Sequence, residues 1–332
     1  YDGTTNVALG GTAAVTALGT DTVNVIGAGT GAFANKNVGL SKAVSVSGYS
    51  LTGPNAGNYT LLQPTGLTAN ISAASLTVSG LSGVDRVYDA TTGVALSGTA
   101  ALSGILGADV VNPLNTATGS FASKNVGTAK LITTAITLGG ADAGNYVVVQ
   151  PTGLSANVTP ASLTVSGVTA TSRTYDAGTV ATLGGSATVT PLGGDTVTVT
   201  GTGAGSFADR HVGTAKPVTV TGFTLAGGDA GNYTLAQPAG LTANITPATL
   251  TLNAAGQSRV YDGTTGSSGT VGIVGLLGGD AVTGLTQSFA SKNALGANNS
   301  VLQVNSGYTV NDGNGGNNYS VTANTAAGTI SP

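Results

Sequence analysis

The chain contains no cysteine, methionine, tryptophan or glutamate. Without cysteine, a disulfide scaffold and a thiolate metal site are both excluded. Charged residues make up 7 % of the 332, against about 25 % in ordinary soluble domains, and all 13 acidic residues are aspartate. Good helix formers are therefore scarce, while Thr, Val, Ala, Gly and Asn dominate. This composition argues against long helices and favours short strands.

Other classes of partner are excluded by what the charge pattern lacks. The net charge is −3, with no basic cluster, so we expect neither nucleic acid nor an anionic lipid surface as a partner. No run of 18 apolar residues occurs, so we expect no membrane span. The chain begins without Met and within a repeat, and we interpret it as part of a longer polypeptide.

What the sequence does contain is a long internal repeat. A Tyr-Asp pair followed by Gly or Ala returns at intervals of 87, 87 and 86 residues, which indicates a tandem array. We expect four modules, at 1–73 (without its leading strand), 74–160, 161–247 and a divergent one at 248–332. Their junctions are two or three residues long, and two of the three internal ones contain Pro, so we expect stiff linkers. The four Tyr-Asp pairs begin at Tyr1, Tyr88, Tyr175 and Tyr261.

Each repeat alternates short apolar-polar runs with turn signals. In the third, Leu163 and Val165 alternate with Thr, and similar runs recur between Gly- and Asp-rich turns. Six or seven strands of four to eight residues are typical of a β-sandwich or small barrel. We therefore predict an all-β fold, a tandem array of four small Ig-like β-sandwich modules with separate cores that form an elongated rod.

Five motifs occur in a fixed order in the repeats. They are Tyr-Asp-Gly-Thr-Thr, Leu-Gly-Gly-Asp, Phe-Ala-Ser-Lys-Asn-Val-Gly-Thr, Gly-Asp-Ala-Gly-Asn-Tyr and Asn-Ile-Thr-Pro. This order resembles the YDG repeats of large bacterial surface proteins, including filamentous-haemagglutinin-like adhesins. The resemblance implies a secreted, β-rich stalk or fibre segment at the bacterial cell surface, and it brings no catalytic residues. Ala90, Ala177 and the missing Gln-Pro pair of the fourth repeat depart from the pattern.

Repeated aspartates are the main candidates for chemistry. Asp before Gly is a common turn solution in which the carboxylate caps nearby N–H groups, and this is our preferred interpretation. Converging turns would instead offer the oxygen ligands that Ca²⁺ takes, and calcium is the one cofactor that we keep as an alternative. The candidate residues for that site are Asp89, Asp109, Asp142, Asp176, Asp195 and Asp229.

Cations also recur at matching positions, and we expect them to pair with the repeated aspartates inside each repeat. They fall into three sets: Arg86, Arg173 and Arg259; Lys36, Lys124, Arg210 and Lys292; and Lys42, Lys130 and Lys216. The single histidine, His211, has no repeated partner. We therefore predict that the protein is not an enzyme.

Two functions remain open from the sequence. The first is a structural segment of a fibre or stalk that contacts neighbouring copies or adjacent repeats of the same chain. The second is a module that binds a surface glycan or a host protein through end loops, chiefly the Asn/Gly-rich loop 311–318 of the fourth repeat, whose Phe-to-Tyr span is about four residues longer than in the others.

Overall fold

The computed structural model describes all 332 residues, and nearly all of its regular structure is β-strand. The predicted all-β tandem array is confirmed. The only helical elements are three 3₁₀ turns at Ala56–Asn58, Ala143–Asn145 and Ala230–Asn232, each within a Gly-Asn-Tyr motif. No helix here has the length to cross a bilayer. We number the strands in chain order and refer to the four sequence repeats as repeats 1 to 4.

The strands of repeats 1 and 2 range in length from two to eleven residues. Repeat 1 contains β1 (Asn6–Val7), β2 (Asn24–Ile26), β3 (Thr30–Phe33), β4 (Gly39–Ser47), β5 (Ser50–Thr52) and β6 (Thr68–Ile71). Repeat 2 contains β7 (Ala74–Gly83), β8 (Arg86–Val87), β9 (Gly93–Ser103), β10 (Asn112–Leu114), β11 (Thr118–Phe121), β12 (Gly127–Thr134), β13 (Thr137–Gly139), β14 (Tyr146–Val149) and β15 (Ser155–Thr159).

Repeats 3 and 4 follow the same plan, with more interruptions in repeat 3. Repeat 3 contains β16 (Ala161–Thr164), β17 (Ser166–Ala170), β18 (Arg173–Thr174), β19 (Val180–Ala181), β20 (Leu183–Thr188), β21 (Thr198–Thr200), β22 (Ala204–Phe207), β23 (Gly213–Thr221), β24 (Thr224–Ala226), β25 (Tyr233–Ala236) and β26 (Thr242–Thr246). Repeat 4 contains β27 (Ala248–Asn253), β28 (Ser258–Val260), β29 (Gly272–Val274), β30 (Ala281–Thr283), β31 (Gln287–Phe289), β32 (Gly296–Val304), β33 (Thr309–Asn311), β34 (Tyr319–Asn324) and β35 (Ala326–Ser331).

The first strand of repeats 2 to 4, which we call the leading strand, lies between two neighbouring strands of a mixed sheet. In repeat 2, β7 pairs in parallel with β14 and antiparallel with β9. In repeat 4, β27 has the same two kinds of neighbour, β34 and β29. Repeat 3 splits this strand into β16 and β17, which pair with β25 and β20. The parallel partner always begins at the Tyr of the Asn-Tyr motif, so this Tyr is fixed in register against the start of the leading strand.

Alternating apolar residues explain why the leading strand is central. Leu76, Leu163 and Leu250 occupy the same position in their repeats and are all buried, and the apolar residue two positions later is buried too. Because successive side chains of a strand point to opposite faces, one face of the strand packs into the core.

Contacts divide the chain into two compact units, Tyr1–Pro160 and Ala161–Pro332, each containing two repeats. In the first unit, Phe33, Val44 and Ile71 form a small cluster within repeat 1. In the second unit, one continuous cluster includes Tyr175 and Ile245 of repeat 3 together with Leu250 of repeat 4. The expectation of a separate core in every repeat therefore does not describe this unit, where aromatic residues connect the two interiors. The four module boundaries remain a prediction.

Candidate functional site at the joint between repeats

The Asp of each Tyr-Asp pair closes a tight turn inside its own repeat. Asp89 accepts a hydrogen bond from the Thr91 N–H at 2.9 Å, and Arg86, three residues before it, forms an ion pair with the same carboxylate. Asp176 and Asp262 make equivalent turns with Arg173 and Arg259. The residue after Asp has a positive φ, +79° at Gly3 and +74° at Gly263, which explains why the motif favours glycine there.

The arginines of these turns also lie over phenylalanine rings. The guanidinium carbon of Arg259 is 5.0 Å from the ring centroid of Phe289, and the Arg86–Phe121 and Arg173–Phe207 pairs are similar. The first set of cations therefore pairs inside the repeat, as the sequence predicts. A cation over an aromatic face adds attraction to the ion pair and fixes the turn against the core.

The third set of cations closes the loop that follows the Phe. Lys42 donates to the Asn35 carboxamide oxygen at 2.7 Å, and Lys216 donates to the backbone oxygen of His211 at 2.7 Å. Only Lys216 also reaches an aspartate, Asp209. The expected pairing with repeated aspartates is therefore wrong for this set. Lys130 contacts Ser123, and the position of Asp209 is Asn35 in repeat 1 and Ser123 in repeat 2, so Asp209 is not a repeated aspartate.

Two members of the second set, Lys36 and Arg210, reach the following repeat. In the first unit, Lys36 forms an ion pair with Asp109 of repeat 2 and lies 3.7 Å from Asp142. Tyr1 donates its hydroxyl to the other oxygen of Asp109, which also accepts the Tyr146 hydroxyl at 2.7 Å. The Tyr1 and Tyr146 rings meet edge to face, 5.3 Å apart. One carboxylate thus joins two tyrosines and a lysine from two repeats, contrary to the expected pairing within a repeat.

We call this cluster of side chains from two successive repeats a joint. Hydrogen bonds of a backbone N–H and of Asn side chains complete it. The Val38 N–H donates to the Asn145 carboxamide oxygen at 3.0 Å, and the Asn145 amide nitrogen lies 3.4 Å from the oxygen of the Asn37 side chain. Asn145 is placed by its 3₁₀ turn, directly before Tyr146. The Asn-Tyr pair therefore presents one amide and one phenol to the preceding repeat.

The second unit contains the same joint with different side chains. Tyr175 of repeat 3 and Tyr319 of repeat 4 each donate to Oδ2 of Asp280 at 2.8 Å, and Arg210 donates to Oδ1 at 2.8 Å. The two rings again meet edge to face, at 5.4 Å. The Val212 N–H donates to Asn318 at 3.0 Å, which matches the Val38–Asn145 contact of the first unit.

Burial and charge shift the pKa values at both joints. The Lys36 ammonium and the Tyr1 and Tyr146 hydroxyls lower the pKa of Asp109 to about 2. Burial, together with the hydrogen bond to Asp280, raises the pKa of Tyr175 to about 12. Burial also raises the pKa of Tyr319. The first joint therefore favours an ionised Asp109, and both joints favour neutral tyrosines.

The longer loop of repeat 4 closes on itself and on the joint. Oδ1 of Asp312 accepts the N–H groups of Asn314 and Gly316 at 2.8 Å, and its backbone oxygen accepts a hydrogen bond from Arg210. Burial alone would raise the pKa of Asp312, but these N–H groups outweigh it and the pKa is lowered. His211 contributes a ring nitrogen 3.2 Å from the Asn318 amide, so the single histidine belongs to the joint.

The six aspartates considered for calcium do not meet at one point. Asp89 and Asp176 lie in the Tyr-Asp turns described above. Asp142 accepts the Val110 N–H at 2.9 Å beside Asp109, while Asp229 accepts the Thr196 N–H and Asp195 accepts the Tyr233 hydroxyl. No three acidic or histidine side chains form a group suited to holding a metal ion. The contacts of these carboxylates described here are turn capping, ion pairs and hydrogen bonds from tyrosine hydroxyls.

Comparison with known proteins identifies the repeats. A family model described as the YDG domain matches residues 1–66, 72–153, 159–240 and 246–327. The chain belongs to the YDG domain family. No curated protein matches it, and no solved structure does. The three later YDG matches begin 15 or 16 residues before their Tyr-Asp pair, whereas the first begins at Tyr1 itself.

The sequence identifies the motifs that contain the joint residues, but it does not predict that these residues contact each other across two repeats. From the sequence, Tyr1 and Tyr175 mark only the start of a repeat, and the Asn-Tyr pair marks only the end of a turn. One signal was available. The Arg set lies three residues before its Asp, whereas Lys36 and Arg210 have no repeated Asp at any fixed short spacing inside their own repeat.

Proposed function

We propose that the chain is a structural segment of an extracellular bacterial fibre or adhesin stalk, in which docked joints hold successive YDG repeats in fixed order. The observation that supports this role is the recurrence of one joint in both compact units. Each joint uses a Tyr and a cation from one repeat and an Asp, an Asn and a Tyr from the next. The residues that recur at the joints hold successive repeats against each other. A chain with such contacts is suited to transmitting force along its length and to keeping a fixed distance between its two ends.

Short linkers within the units add to this support. In the first unit β6 ends at Ile71 and the leading strand of repeat 2 begins at Ala74, and in the second unit only Pro247 separates β26 from β27. A linker of one or two residues leaves little room for rotation, and Pro fixes its own φ. Together with a buried joint, such a linker favours a stiff connection over a flexible hinge.

A catalytic role has less support. The residue types that acid–base chemistry uses are few here, and the best placed of them make structural contacts. Asp280, with a side chain 1 % exposed, accepts three hydrogen bonds, and His211 contacts Asn318. We propose that Asp280 and His211 stabilise the contact between repeats and that the chain catalyses no reaction.

The alternative function, recognition of a glycan or a host protein, depended mainly on the loop 311–318. In the structure Asp312 and Asn318 of this loop are fully buried and contact the joint, so they face away from any ligand in solution. We therefore propose the structural role as the function and treat binding by exposed parts of this loop as the second candidate.

Small-angle scattering on chains of two, four and eight repeats tests the structural role. We expect the maximum dimension to increase in proportion to the number of repeats. A dimension that grows only with about the cube root of chain length would show compact packing and contradict a stalk. Antibody labelling of intact cells that make the native polypeptide tests the location, and labelling that requires lysis would contradict it.

A further inference from the structure

Two exceptions to the repeat pattern occur in successive repeats and contact each other. The loop after the Phe contains a Lys-Asn pair in repeats 1, 2 and 4, but Arg210 and His211 in repeat 3. Before the Asn-Tyr motif, repeats 1 to 3 have a 3₁₀ turn, which we call the ordinary turn, whereas repeat 4 has the loop 311–318. Arg210 and His211 both form hydrogen bonds with this loop. The structure thus joins the unusual loop of repeat 3 to the unusual loop of repeat 4.

The loop of repeat 4 offers a backbone oxygen that the ordinary turn uses internally. In repeat 2, Gly140 follows β13 and accepts the Ala143 N–H at 3.3 Å, and repeats 1 and 3 contain the same bond. Asp312 follows β33 at the corresponding position of repeat 4. Its carboxylate accepts three N–H groups of its own loop, at 2.8, 2.8 and 2.9 Å. The backbone oxygen of Asp312 is therefore open to a donor from the preceding repeat.

Arg210 is the residue that uses this oxygen. Its Nη2 atom donates to Oδ1 of Asp280 at 2.8 Å and to the backbone oxygen of Asp312 at 3.1 Å. A guanidinium carries five N–H donors in a planar fork, so it suits a carboxylate beside a carbonyl, whereas the lysine ammonium is a compact point charge. The lysine of the first joint instead faces two carboxylates, those of Asp109 and Asp142. Each cation therefore matches the acceptors of its own partner.

His211 adds a second matched contact. Its Nδ1 atom lies 3.2 Å from the side-chain nitrogen of Asn318. The side-chain oxygen of Asn318 accepts the Val212 N–H, so the amide presents its NH₂ group to the ring and Nδ1 is the acceptor. In the first joint, the nitrogen of Asn145 lies 3.4 Å from the side-chain oxygen of Asn37. The same amide position thus binds a ring nitrogen in one joint and an amide oxygen in the other.

We propose that Arg210 and His211 make repeat 3 selective for a following repeat of the fourth type, which they recognise through its loop 311–318. Specificity is a difference between two affinities, so the wrong partner must fit less well. An ordinary turn offers Arg210 only an oxygen that already accepts an N–H, and the loop 311–318 offers a lysine a carbonyl in place of a second carboxylate. Such matching fixes the order of the repeats. The inference rests on docking at the joint, which is part of the proposed function.

Exchanging both partners within the full chain tests this selectivity. The first variant carries Arg210→Lys and His211→Asn, which gives repeat 3 the Lys-Asn pair of the other repeats. The second variant replaces residues 312–318 by the sequence of residues 140–145, the ordinary turn of repeat 2. The third variant combines both changes. The readout is hydrogen exchange of the Val212 amide, which donates to the Asn before the Tyr in either loop.

Selectivity predicts that the two changes compensate each other. We expect each single change to speed exchange of the Val212 amide at least about tenfold, and the combined variant to return to within about threefold of the wild type, because contacting residues are coupled. A combined variant that exchanges faster than both single variants would overturn the proposal, since the two effects would then only add.

Point substitutions in the first unit test the same claim without a grafted loop. Lys36→Arg together with Asn37→His gives repeat 1 the residues of repeat 3, while the ordinary turn of repeat 2 stays in place. The charge of the cation is unchanged, so a selective joint predicts exchange of the Val38 amide at least about threefold faster. Exchange that is unchanged or slower would overturn the proposal.

The wild-type rate separates this inference from docking itself. If the Val212 amide of the wild type exchanged as fast as an unprotected amide, repeats 3 and 4 would not be docked, which would contradict the proposed function as well as the selectivity. Slow wild-type exchange with equal rates in all three variants would overturn the selectivity alone.

Discussion

The Tyr175 hydroxyl donates a 2.8 Å hydrogen bond to Asp280, 105 residues further along the chain and in the next repeat. Tyr175 is 2 % exposed, whereas the corresponding Tyr261 of repeat 4 is 47 % exposed. The Tyr of the motif is therefore buried in repeat 3, where it contacts Asp280, and about half exposed in repeat 4, where it has no such contact. The Tyr of the YDG motif is the part of a repeat that binds its successor.

Removing the Tyr175 hydroxyl tests this contact. We expect Tyr175→Phe to lower the free energy of opening in the second unit by about 1–3 kcal/mol, because the buried side chain of Asp280 then loses one of its hydrogen-bond donors. Native-state amide exchange in repeats 3 and 4 measures this loss. Tyr261→Phe is the matched control, with an expected effect within about 0.5 kcal/mol because this side chain is exposed. Equal losses in both variants would contradict the assignment.

Acid should loosen the joint of the first unit. The pKa of Asp109 is lowered to about 2 by Lys36 and the two tyrosine hydroxyls. Its contribution to stability is therefore fully present above the unfolded pKa of about 4 and is lost as the pH falls through about 2. Carboxyl ¹³C shifts measured by NMR should place the midpoint of Asp109 near the lower value.

The variant Asp109→Asn separates this effect from the other aspartates. We expect the difference in unfolding free energy between wild type and variant to shrink as the pH falls from about 4 to about 2. Asp21→Asn is the matched control, since Asp21 accepts the Tyr59 hydroxyl within repeat 1 and has no contact with another repeat. A difference that stays constant with pH would show that the charge of Asp109 has no part in the joint.

Alkali should act on the tyrosine of the second unit. The pKa of Tyr175 is raised to about 12 by burial and by Asp280. A group whose folded pKa is raised stabilises the protein below its unfolded pKa of about 10, and this contribution is lost as the pH rises through about 12. Absorbance of tyrosinate should show a late step that Tyr175→Phe reduces. A variant titration curve with an undiminished late step would contradict the burial of this phenol.

The glycine of the motif has a backbone role that one substitution can isolate. Gly263 has φ +74° and no atom within 4 Å of its Cβ position, so Gly263→Ala adds strain without a clash. We expect the free energy of unfolding to fall by about 1 kcal/mol. The loss should appear as faster exchange of the Thr264 amide, which donates a hydrogen bond to Asp262. Gly228→Ala is the control, since its φ is not left-handed and its Cβ position is also open. A loss no larger than that of the control would contradict this role.

Local chemistry made part of this structure predictable. Asp followed by Gly indicated the turns at Asp2 and Asp262, and alternation around Leu163 indicated the leading strand. The joint was not predictable in the same way, because its cross-repeat partners are 70 to 108 residues apart in the sequence. A cation that recurs once per repeat keeps a nearly constant spacing both to an Asp of its own repeat and to an Asp of the next repeat, so periodicity alone cannot identify its partner. The parallel pairing of β7 with β14 was also missed, since strand period does not encode direction.

The central claim is that the repeated residues fasten each repeat to the next, and exchange of one amide tests it most directly. The Val38 N–H of repeat 1 donates to Asn145 of repeat 2. Asn145→Ala should speed its exchange at least about tenfold, whereas Asn58→Ala, the same position in repeat 1, should leave it unchanged. Unchanged exchange of Val38 in Asn145→Ala would contradict a docked joint in solution.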